Sequence, residues 1–60
     1  MELYRTGMQQ SEGVSYQNVV ISQDGIFMVE NHVFEDDDIY KIPLQSFDSL
    51  NEAVDYANAN

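Results

Sequence analysis

The sequence predicts an α+β fold: a small antiparallel β-meander of three to four strands with one C-terminal helix packed on the sheet. Three observations predict it. Short apolar-rich stretches run through residues 14–23, 26–34 and 39–44. Turn-forming residues separate them at Asp24-Gly25 and at Glu35-Asp36-Asp37-Asp38. After Ser49 the apolar period lengthens, and Leu50, Ala53, Val54 and Ala57 make one helical stripe. Strands first and a single helix last is the order of an α+β domain.

Residues 2–6 are expected to form a short strand. Residues 7–13 are polar and bounded by Gly7 and Gly13, which predicts a loop. In residues 14–23 the apolar members are Val14, Tyr16, Val19, Val20 and Ile21. Their alternation changes phase near Asn18, which predicts a bulge or bend there. Asp24-Gly25 suits a type I′ hairpin turn, in which both central residues take positive φ. That turn would set Gln23 opposite Ile26, Ile21 opposite Met28 and Val19 opposite Glu30, with Val20 and Val29 sharing the other face. The strand over 26–34 is expected to break at Asn31-His32. Adjacent carboxylates make 35–38 a turn. In 39–44, Tyr40, Ile42 and Leu44 fall on one face and Lys41 and Pro43 on the other. Pro43 has no N–H to give a ladder, which places this strand at a sheet edge or near its end. Ser49-Leu50-Asn51-Glu52 matches a capping box and predicts a helix of about 11 residues. A helix that short is marginal alone and must dock on the sheet, with Phe47 beneath its first turn.

Sixty residues make one domain, 1–60. A domain of this size buries only about 60% of the surface its unfolded chain exposes. With no cysteine and one histidine, disulfides and a typical zinc site cannot supplement the core. Self-association is therefore expected, with a dimer favoured. The N-terminal residues show no basic stretch followed by an apolar run, so no signal peptide is expected, and no stretch is long enough to span a bilayer. The expected location is the cytoplasm. Hydrophobic residues are 43% of the chain, too many for a disordered acidic tail.

Charge is the most unusual property. Eleven acidic residues face two basic ones, for a formal net charge of −9. Such a chain is repelled by nucleic acid and anionic membranes and attracted to basic surfaces. Aromatic residues on strands would suit base stacking, and the chain has seven aromatics, but only Arg5 and Lys41 accompany them. Consecutive aspartates at 36–38 lack the spacing and glycine of a calcium loop. His32 has Glu30 and Glu35 near in sequence to orient it, yet none of the serines lies in a nucleophile motif. No glycine-rich nucleotide loop exists. No cofactor, metal or catalytic residue is expected.

The function expected from the sequence is therefore non-catalytic binding by an inhibitor or adaptor that engages a protein partner with a basic surface. Glu30, Glu35, Asp36, Asp37, Asp38, Glu52 and Asp55 are its candidate contact residues. Alternate residues on a strand face lie about 6.6 Å apart, so a sheet can present a regular array of charge. Such an array would mimic a nucleic-acid backbone, a strategy known from viral and mobile-element proteins; the analogy is functional only. The alternative is a homo-oligomeric protein that sequesters a small molecule in an intersubunit pocket lined by tyrosines, His32 and Arg5. A third reading is an accessory module whose edge strand, 2–6 or 39–44, pairs with a partner's strand.

Overall fold

Three two-residue hairpin loops organise the chain. In the computed structural model, which describes residues 1–60, the strands are β1 (Glu2–Arg5), β2 (Gln9–Ser11), β3 (Val14–Gln23), β4 (Ile26–Glu35) and β5 (Asp38–Phe47), followed by helix α1 (Leu50–Ala59). All pairings are antiparallel, in the order β1-β3-β4-β5, with β2 also paired to β3. The predicted α+β meander with a docked C-terminal helix is what forms.

Asp24-Gly25 behaves as its chemistry requires, with φ of 53° and 79°. The predicted register follows from it: Gln23↔Ile26, Ile21↔Met28, Val20↔Val29 and Val19↔Glu30. A second turn of the same kind lies at Glu12-Gly13, with φ of 52° and 82°. It folds β2 onto β3, so the loop expected over 7–13 is in part a strand. The third turn, Asp36-Asp37, takes positive φ only at Asp36. It joins β4 to β5 without any break at Asn31-His32.

The irregularity expected in β3 at Asn18 belongs to its neighbour. β1 and β2 together form one edge strand, interrupted at residues 6–8, while β3 runs straight through. The interruption is fastened by Thr6. Its N–H donates to the Asn18 carbonyl at 2.9 Å, and its Oγ1 accepts from the Asn18 N–H at 2.9 Å. Its carbonyl accepts from Gln17 Nε2 at 2.8 Å. The phase change in 14–23 instead reflects apolar residues on both faces: Val20 points toward the helix, Val19 and Ile21 away from it.

β5 is longer than the expected 39–44 and lies at the free edge. Its register slips opposite Val29 and Glu30, where Gln45 and Pro43 are the partners and Leu44 is the extra residue of a bulge. The simple alternation that puts Tyr40, Ile42 and Leu44 on one face is interrupted at this bulge. Glu35 and Asp38 flank a two-residue loop and so form a hydrogen-bonded pair. Counting outward, narrow and wide pairs alternate, and Glu30↔Pro43 falls on a non-hydrogen-bonded pair. The N–H that Pro43 lacks would thus have pointed off the free edge.

Ser49 caps α1, its Oγ accepting from the Glu52 N–H at 3.5 Å. The reciprocal arm of the expected capping box, from the Glu52 side chain, is not made. Ala53 and Ala57 press on Val20 and Val29 to form the core, flanked by Tyr4, Phe27, Phe47, Val54 and Tyr56. Phe47 and Tyr56 pack ring to ring with centroids 5.3 Å apart. Leu50, expected on the buried stripe, is 39% exposed. At the far end of the helix, Asn18 Nδ2 donates to the Ala57 carbonyl at 2.9 Å, satisfying one of the acceptors a helix C-terminus leaves open. α1 therefore covers the half of the sheet nearer Asp24-Gly25, and Tyr40 and Ile42 extend beyond it, exposed. No helix is long and apolar enough to cross a membrane.

Candidate functional site

The carboxylates divide into groups by their place in the sheet. In a meander, the turns at Glu12-Gly13 and Asp36-Asp37 lie at the same end. This end gathers Glu12 with Glu35, Asp36, Asp37 and Asp38, all exposed. At the opposite end, two shallow clefts adjoin at Ile26 and Ser46, one bordered by Asp24 and the other by Asp48 and Glu52. Asp55 is exposed on the outer side of α1.

Glu30 stands apart from the other candidate residues. It lies half-buried on the sheet face opposite the helix, 3.0 Å from Nε2 of His32. His32 is itself buried, at 6% exposure. Beside them, Arg5 donates to both carboxylate oxygens of Glu2 and to Gln17 Oε1. The Arg5 guanidinium holds the Glu2 carboxyl below the usual carboxylate range, and the carboxylate in turn raises the Arg5 pKa. His32 pairs across strands with Gln17 on one side and Lys41 on the other. Gln17, His32 and Lys41 therefore form a row across the sheet, and Arg5, in the next row opposite Val19, reaches it through Gln17. These two adjacent rows hold every basic side chain of the protein and its one histidine.

Only Glu2, beside Arg5, and Glu30, beside the His32 ring, have a basic side chain within ion-pair distance. The remaining nine carboxylates have none, and all nine are exposed. Of the seven candidate contact residues, the structure brings Glu35, Asp36, Asp37 and Asp38 together at one end. It places Glu52 and Asp55 on the helix and Glu30 on the opposite face. The reading from sequence missed Glu12 and the grouping of Asp24 and Asp48 with Glu52. Glu12-Gly13 carries the signal for its turn, but the strand before it is too short and polar to frame the pair as a hairpin.

No buried side-chain polar atom lacks a hydrogen-bond partner. No group of three or more histidine, aspartate or glutamate side chains is arranged to hold a metal. The best-formed cleft, of about 250 Å³, sits where the edge strand is interrupted beside the helix C-terminus. It is lined by amides such as Gln17, Asn18 and Asn58 and contains no charged side chain. Several of those amides are already engaged: Asn18 with Ala57 and Asn31, Gln17 with Thr6 and Arg5, Asn58 with the Tyr4 hydroxyl. They fasten helix, sheet and edge to one another. No protein-family model, curated protein or solved structure matches this chain.

Proposed function

We propose that this protein is a small non-catalytic binder that engages a basic surface on a protein partner, as an inhibitor or adaptor, through its unpaired carboxylates. The observation that supports this reading is the segregation of charge. All the basic side chains are gathered on one sheet face, and nine carboxylates are left without counter-ions on the turns, the helix and its flanks. Unpaired surface charge of one sign raises the local potential and steers an oppositely charged partner. The two acidic ends of an elongated molecule, 34 Å in its longest dimension, present charge along a length comparable to one turn of duplex DNA, about 34 Å. This correspondence favours a partner whose basic groove otherwise holds nucleic acid. Cytoplasmic residence belongs to the same reading.

The test is affinity capture from the native host's lysate at low salt, identification of the captured protein, and titration of that protein with variants. Neutralising Glu35, Asp36, Asp37 and Asp38 to their amides should weaken binding, and duplex DNA should compete for the partner. A partner with an acidic or neutral contact surface, or one indifferent to all the amide variants, contradicts the proposal.

A further inference from the structure

A sheet covered on one face and bathed in water on the other alternates apolar inward with polar outward. This sheet does not. Opposite the helix, Val19 and Ile21 on β3, Ile26, Met28 and Phe34 on β4, and Ile39 and Pro43 on β5 all lie on the outward side by the alternation of the observed register. Val19 is fully buried there with no layer of structure above it, enclosed on its row by Arg5 and Glu30. Ile39 is 59% exposed and Ile26 45%. The helix side, meanwhile, has a core of two valines and two alanines.

Charge singles out the same face. Glu2, Arg5, Glu30 and Lys41 sum to zero on it, whereas the whole chain carries −9. An approach through the acidic turns or the outer side of the helix sets unpaired carboxylates against unpaired carboxylates. Only this face offers both signs, so that a two-fold axis can set acidic groups of one copy near basic groups of the other. Its size is adequate. Extents of 34 × 20 Å give a face on the order of 700 Å², near the ~800 Å² each partner contributes to a standard interface. The competing route, edge-to-edge pairing through β5, is blunted by Pro43, whose missing N–H faces that edge, and by the bulge at Leu44.

We propose that a second copy of this chain docks on the uncovered sheet face, sheet against sheet, with the two helices outermost. The contact encloses Ile21, Met28, Phe34 and Ile39 and leaves the carboxylates of the helix outside. It does not rest on the proposed function, and its salt dependence has the opposite sign. Screening removes the repulsion between two −9 chains and leaves the apolar contact, so association tightens as salt is added.

Sedimentation equilibrium of the full chain, across protein concentration at low and high salt, tests this. The expected result is a dimer mass that becomes more stable with salt. Met28→Lys and Ile39→Lys should each weaken association by on the order of a hundredfold, because each buries an unpaired charge in the contact. Both variants should keep a cooperative thermal melt. Asp55→Lys, on the outer side of the helix, should leave the dimer intact. A single-chain mass at every concentration and salt overturns the proposal. So does a dimer indifferent to both sheet-face variants.

Discussion

Gly25 and Gly7 separate two meanings of glycine in this chain. Gly25 holds φ of 79° in the turn that sets the β3–β4 register, and a Cβ there would meet no atom within 4 Å. Gly25→Ala therefore costs backbone strain alone, about 1–2 kcal/mol of stability by thermal or denaturant unfolding. Gly7 also has open space around it but does not need positive φ. Gly7→Ala should leave stability unchanged or raise it by about 0.5 kcal/mol. Thr6→Val keeps the shape of the side chain but removes the acceptor of the Asn18 N–H. The donor left unsatisfied predicts a loss of about 1–3 kcal/mol, read by chemical denaturation. The first of these effects is legible in the sequence, because Asp-Gly between apolar runs dictates local φ. The second is not. Thr6 and Asn18 are twelve residues apart, and nothing in either residue's neighbours announces that one fastens the other.

The same division appears among the elements. The β3–β4 hairpin and α1 were readable because each is specified locally, the first by its turn and the second by the Ser49 cap and a short apolar stripe. Ser49→Ala should lower stability by about 1 kcal/mol in a thermal melt, since Ser49 Oγ serves a backbone donor of the first helical turn. β2 was not readable. Gln9, Gln10 and Ser11 have neither β-branching nor alternation, and they are held extended only because β3 offers its edge. β5 was readable as a strand but not in its length or its bulge. Its ladder partners on β4, rather than its own propensities, carry it through Pro43 to Phe47. The acidic turn at 35–38 was legible, whereas its nearness to Glu12 depends on the meander bringing two hairpin ends together.

At the scale of the whole molecule, composition revealed how much negative charge there is but not where the two basic residues go. Their convergence with His32 across β1, β4 and β5 is a product of topology, and it divides the surface into one balanced face and an acidic remainder. Binding through that remainder is the central functional claim, and its most direct measurement is the affinity for the captured partner as a function of salt. If several carboxylates contact a basic groove, the logarithm of the association constant should fall linearly and steeply with the logarithm of salt concentration, and amides at Glu35, Asp36, Asp37 and Asp38 should flatten the slope. An affinity that holds level from low to high salt would contradict the claim.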